Sequence, residues 1–215
     1  MDITWHGYSC FRITERGHTS VVTDPYQPAR ELANWRLKGD LVTVSHEGAA
    51  RHAAAIRDQK YVIAAPGEYE VGELFVTGIA LHQHEPETDN ARKNVAYHFE
   101  YPNGLNVLHL GVLHQVPDQS IFEGLDQVNA LLLPVEDALV AGDKLPDLIS
   151  VIEPNYVAPM QPFGLSEAEF AAAVESFRKA VGASDVEVSD ALRITPANLS
   201  EQTQVVQLRA NFTPG

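Results

Sequence analysis

Cysteine is nearly absent: Cys10 is the only one in 215 residues. An internal disulfide is therefore excluded, and so is any Cys-x-x-Cys zinc or redox motif. A reducing, cytoplasmic setting is expected. Basic residues are also scarce, with 15 Lys and Arg against 29 Asp and Glu and a net charge of -14. Such a surface repels phosphate backbones and anionic lipid, so neither nucleic acid nor membrane is expected as a partner. No run approaches the roughly 18 apolar residues of a membrane helix. Met1 leads straight into Ile3-Thr4-Trp5 without a basic start, so no signal peptide is expected. No Gly, Ser or Pro linker divides the chain, and no repeat or low-complexity segment interrupts it. Residues 1–215 read as one domain.

What is present is a sequence of short β-rich runs followed by strand–helix alternation. Ile3-Thr4-Trp5, Ser9 to Ile13 and Thr19 to Thr23 read as strands, with a turn at Glu15-Arg16-Gly17. Pro25 stops the third strand after Asp24. A short helix is expected within Ala29 to Leu37. Asp40-Leu41-Val42-Thr43-Val44 reads as a buried strand that ends at Ser45-His46, with a helix of two to three turns following up to Asp58. Tyr61 to Ala65 reads as a further buried strand. A hairpin around Gly72 joins Glu68–Val71 to Leu74–Leu81, and His82 to Asp89 reads as a polar loop. Val95, Tyr97, Phe99 and Tyr101 alternate with Ala96, His98 and Glu100, the pattern of a half-buried strand. Asn103-Gly104 signals a two-residue hairpin turn into Leu105–Leu110.

In the second half Asp118 to Gly124 suggests a short helix and Ala130 to Val135 a buried strand. Leu145, Leu148, Ile149 and Ile152 recur at helical spacing before Pro154. Tyr156 to Met160 is the next strand. Ser166 with Glu169 forms a capping-box pattern, and Phe170, Val174, Phe177 and Val181 line one helical face that stops at Gly182. Val186–Val188 and Gln204–Leu208 close the chain as strands. Mixed sheets flanked by helices, an α/β fold, are the natural packing.

Several segments together resemble the metallo-β-lactamase fold hydrolases, most closely their compact branch of ascorbate-phosphate-type lactonases. They are Ile3 to Ile13, Thr23-Asp24-Pro25-Tyr26, Asp40 to His46, Pro66 to Gly72, Asn94 to Tyr97, Leu108 to Gly111, Leu133-Pro134-Val135 and Pro159-Met160. The resemblance implies an αββα sandwich of two mixed sheets, with the active site at one edge of the sheets. It also implies a two-metal site built on a His-x-His-x-Asp-His loop. Zinc takes about four N, O or S ligands, one position being left to water.

Carried residue by residue, that pattern keeps its first ligand as His46 and loses the others. The second His position is Gly48, the Asp position Ala50 and the third His position Arg51, whose guanidinium repels a metal. The later His position is Gln83 in the ungapped register, with His82 and His84 beside it. The bridging Asp position is Val112, the last His position Gln161, and the His expected between Gly7 and Ser9 is Tyr8. Asp24, Glu68 and Asn94 match the family near its active-site edge, where Asp24 reads as a turn residue before Pro25. His109 reads as a strand residue that packs or bonds within its sheet. His6 and His114, with His82 or His84, are candidates for a rebuilt site. Cys10 reads as core.

The expected function is a hydrolase-like protein with a vestigial pocket, no metal and no cofactor. It would act in binding, regulation or assembly, with a small-molecule ligand, a protein partner or a homo-oligomer. The alternative is a divergent hydrolase of phosphoesters, lactones or related small molecules that uses a rebuilt site with one divalent metal, such as zinc, or none.

Overall fold

The computed structural model describes residues 1–26, 37–84, 91–140, 144–183 and 186–211, with the backbone alone at 82–84, 91–93 and 187. The expected helix within Ala29 to Leu37 lies almost wholly outside the described residues. In chain order the strands are β1 Asp2–Trp5, β2 Phe11–Thr14, β3 Val21–Thr23, β4 Leu41–Thr43, β5 Tyr61–Ile63, β6 Gly67–Val71 and β7 Leu74–His84. They continue as β8 Ala91–Glu100, β9 Asn106–His109, β10 Ala130–Pro134, β11 Tyr156–Met160, β12 Glu187–Ser189, β13 Leu192–Arg193 and β14 Gln204–Leu208. The helices are α1 Glu47–Ala50, α2 Asp137–Val140, α3 Lys144–Ile152 and α4 Glu167–Ala180, with single tight turns of helix at Ala53–Ala55 and Gln119–Phe122.

Two mixed sheets result. The first runs β13-β1-β2-β3-β4-β5 and the second β12-β14-β11-β10-β9-β8-β7-β6. In the first, hairpins pair β1, β2 and β3 antiparallel, while β3, β4 and β5 lie parallel. In the second, β6 to β9 form an antiparallel meander and β9, β10, β11, β14 and β12 are parallel.

Side-chain alternation explains the layering. On β3 and β4, Val21 and Leu41 join the main core, whereas Val22 and Val42 join a smaller cluster with Cys10, Val44, Ala49, Ala53 and Ile56. Successive residues of a strand point to opposite faces, so both faces of these strands are covered. The two sheets are clasped at one end. The Tyr97 hydroxyl of β8 donates to the carbonyls of Val44 (2.9 Å) and Ile63 (3.2 Å), and the Val95 amide donates to Ser45 O at 3.0 Å. Helix α4 buries Phe170, Ala173, Val174 and Phe177, and Phe170 packs on Trp5 with ring centroids 5.8 Å apart.

Five expectations change. The segment after His46 is one short helix and a tight turn, not two to three turns of helix. Gly48 and the exposed Ala50 and Arg51 give it too little apolar surface to extend. Residues 82–84 continue β7 and pair with 91–93 instead of forming a loop; residues 85–90 lie outside the described residues. β5 is an edge strand with Tyr61 and Val62 about half exposed, not a buried one. Val95 to Phe99 are buried on both faces rather than alternately. The hairpin at Asn103-Gly104 is present, but its loop has a third residue. The Tyr101 amide bonds Leu105 O, and Gly104 sits at φ 78°.

Candidate functional site

β3 and β4 run parallel with Thr23 beside Thr43, so the residues that follow them meet at the sheet edge. Asp24 turns there at φ 37°, a conformation Asp tolerates better than most residues, and its amide donates to Thr43 O at 2.9 Å. Its buried carboxylate takes the Ser45 amide on Oδ1 (2.6 Å) and the Ser45 hydroxyl on Oδ2 (2.5 Å). His46 Nδ1 lies 3.0 Å from Ser45 Oγ and 3.7 Å from Asp24 Oδ2. The single hydroxyl proton of Ser45 is committed to Asp24, so the imidazole contact requires a proton on Nδ1. Among the described residues nothing bonds Nε2, which is left as the acceptor. A side chain at Gly48 would put its Cβ 3.2 Å from that atom, so Gly48 keeps it uncovered.

Charge and burial act against each other here. Burial alone would raise the Asp24 pKa, but His46, His109 and Ser45 outweigh it and hold the carboxyl below its ordinary value. Burial alone would lower the His46 pKa, but Asp24 outweighs it and holds the imidazole above its ordinary value.

The wall behind Ser45 comes from the second sheet. Asn94 Nδ2 donates to Leu110 O (2.8 Å), and its Oδ1 accepts the Val112 amide (3.2 Å). Gly111 adopts φ +65°, and a Cβ there would collide with Asn94 Oδ1 and stand 2.5 Å from Ser45 Cβ. His109 is fully buried. Its Nε2 bonds Ser9 O at 2.9 Å, across the two sheets rather than within its own, and Nδ1 has no hydrogen-bond partner among the described residues. Burial lowers its pKa despite the pull of Asp24.

Val112 and Gln161 line one small cavity with Ser9, Gly111, Met160 and Phe163, of about 10 Å³. That is room for roughly one water molecule. The Gln161 side-chain amide is tied to Leu165 O at 2.6 Å. Tyr8, at φ 49°, stands edge-on to Tyr26 (centroids 5.0 Å) and 4.9 Å from the ring of Phe163, which is 76% exposed. The mouth of this cavity is thus partly aromatic.

The candidate residues are only partly assembled. Asp24 and His46 adjoin, Val112 and Gln161 share the cavity, and Tyr8 touches its rim through Phe163. Gly48, Ala50 and Arg51 are exposed on and after α1. Gln83, His82 and His84 are placed by backbone register alone, opposite Arg92, Lys93 and Ala91. His6 is buried and held between Thr4 Oγ1 (3.1 Å) and Asn211 O (3.0 Å), with burial pushing its pKa down to about 4. His114 is exposed and its charge acts on Glu136. Neither interaction involves His46. Among the described residues, no group of three or more His, Cys, Asp or Glu could hold a metal ion. Sequence reasoning missed Ser45, whose one signal was its place between a buried strand and a His, and Phe163, which no pattern marked.

Residues 2–161 match the family model described as the β-lactamase superfamily domain. The chain belongs to that superfamily. A UPF0173 protein of Pyrococcus furiosus is 27% identical over 197 aligned positions, covering 83% of this chain and 90% of the relative. Among solved structures, a candidate zinc-dependent hydrolase of the metallo-β-lactamase superfamily from Thermotoga maritima superposes with a TM-score of 0.73 at 24% identity, covering 97% of this chain and 99% of that one. A metallo hydrolase from Ignicoccus hospitalis superposes with a TM-score of 0.64 at 16% identity over 96% and 94% of the two chains. The α/β architecture with two mixed sheets is the metallo-β-lactamase fold, as the segment resemblance implies.

Proposed function

We propose that this chain keeps the superfamily scaffold without its metal centre and acts by binding, in regulation or assembly, rather than by metal-dependent hydrolysis. The observation that carries this reading is the donor set: among the described residues no group of three or more His, Cys, Asp or Glu could hold a metal ion. Zinc needs about four donors near 2.0–2.3 Å. Val112 and Ala50 carry no donor, Gly48 has no side chain, and Arg51 carries a fixed positive charge. The described residues do not fit a two-metal group. A small molecule or a protein partner at the Tyr8–Phe163 rim, or self-assembly there, is the corresponding role. Phe163, exposed and in tilted ring contact with Tyr8, supports that location.

Metal analysis of the purified chain tests the proposal. Less than about a tenth of an equivalent of zinc, manganese or iron is expected, with no chelator-sensitive hydrolysis; a full equivalent removed together with activity overturns it.

A second reading is favoured by one observation, the Asp24–Ser45–His46 chain that leaves Nε2 of His46 open. Such a chain orients an imidazole as a general base without a metal. Its substrate class, from the resemblance to lactonase-type relatives, is a lactone or phosphoester. His46→Ala then abolishes turnover, and an unchanged rate removes this reading.

A further inference from the structure

A second concave surface lies at the far end of the second sheet. Asn94 of β8 abuts Ser45, whereas Glu100, six residues on, is about 20 Å away along the strand. There the antiparallel register aligns Glu70, Phe75, Glu100 and Asn106 in one row across β6, β7, β8 and β9. Directly paired residues share a face. It is the face turned away from the first sheet, because Tyr97, one strand position off in phase, bonds the first sheet. The row forms the floor of a groove of about 480 Å³, whose rim adds Glu73, Tyr101 and Asp126.

The groove has two chemical features. Four carboxylates line it and, among the described residues, no Lys or Arg does. Between them lies the Phe75 ring, 54% exposed near one end of β7. Glu73 has the His18 imidazole 3.4 Å away, whereas Glu70, Glu100 and Asp126 pair with no Lys or Arg among the described residues. Glu100 is held above its ordinary pKa by burial and by Asp126, with which it shares a hydrogen bond. His98, two residues before Glu100 on the same face, is 1% exposed and points Nδ1 at Glu100 Oε2 from 3.5 Å, too far for a hydrogen bond. Its Nε2 has no hydrogen-bond partner among the described residues, and burial lowers its pKa to about 4, so it supplies no positive charge at neutral pH.

We propose that this groove binds an aliphatic di- or polyamine. Its ammonium ends would sit on Glu70 and on the Glu100–Asp126 pair, and its methylenes would cross the Phe75 ring. The spacing fits: Glu70 and Glu100 lie two strands apart, about 9–10 Å between Cα atoms. That backbone separation is on the scale of a four- to five-carbon diamine. The ring contributes cation–π attraction and apolar cover for the stem. The volume is that of a small-molecule site. A divalent metal is a poorer occupant, because a phenylalanine ring separates the carboxylates and no metal-ligating cluster exists among the described residues.

Spermidine titrated calorimetrically into the intact chain at about physiological salt tests the proposal. Saturable one-to-one binding is expected. Glu70→Gln, Glu100→Gln and Phe75→Ala should each weaken it about tenfold or more, as should replacing spermidine by the monoamine butylamine. Glu201→Gln, a control on another exposed segment, should leave it unchanged. Any one of four results overturns the proposal: no saturable heat; equal loss in the Glu201 variant; competition by equimolar magnesium; or a lysine-rich peptide binding about tenfold tighter than spermidine.

Discussion

At the scale of single residues, two positions decide what the site edge can be. Gly111 is one. It combines φ +65° with contact to both Asn94 and Ser45, so any side chain meets backbone strain and a collision that neither neighbour can relieve without losing a buried hydrogen bond. Gly111→Ala should destabilise the chain by about 2–4 kcal/mol, read from urea denaturation. Asp24 is the other. Its raised partner, His46, adds stability that is fully present below the unfolded histidine value of about 6.5 and is lost as the pH rises through the higher folded value. Asp24→Asn removes the charge but not the shape. The His46 titration followed by NMR should then move to lower pH, and the loss of stability above about pH 6.5 should flatten. An unmoved His46 titration would show that Asp24 does not hold the imidazole.

At the scale of elements, local chemistry was readable and placement was not. The Ser166–Glu169 box is formed in full, with the Glu169 amide on Ser166 Oγ and the Ser166 amide on Glu169 Oε2 at 2.8 Å. Ser166→Ala should cost about 1 kcal/mol and fray the start of α4, measurable by denaturation. The hairpin glycines were equally legible as turn positions, because turn chemistry acts within a few residues; the alternation of Val95 to Tyr101 was not a guide to burial, since both faces of β8 are covered from Asn94 to Phe99. β5 was misread because Tyr61-Val62-Ile63 is apolar wherever it lies, and apolar composition does not say that a strand is last in its sheet. Residues 82–84 were misread because their polarity says nothing of the ladder to 91–93. The union of Asp24 with Ser45 was hidden for a related reason. It depends on the parallel register of β3 and β4, set by contacts across more than fifteen residues of chain. His46 itself was legible, since a His directly after a buried run needs only local sequence to be noticed.

At the scale of the whole molecule, buried titrating groups in different parts of the fold sum to one acid response. His6 fastens Asn211 beside β1, and His98 lies inside β8; burial lowers each to about 4. Between about pH 6.5 and 4 the unfolded chain therefore binds protons at these positions that the folded chain refuses. Stability present above pH 6.5 is lost progressively through that window. The lowered carboxyls act later: Asp40, held near 2 by Lys60 and Ser20, and Asp24 keep their contribution above about pH 4 and lose it as the pH falls further. Glu100 and Glu136, both raised by burial, oppose the loss near the ordinary carboxylate range. Stability should thus decline in two stages on acidification, the first before most carboxylates titrate. Urea denaturation midpoints measured from pH 7 to 3 check this, and His98→Leu should shrink the first stage while leaving the second in place. A midpoint that stays constant from pH 6.5 to 4.5 would mean that His6 and His98 titrate in the fold as they do in the unfolded chain.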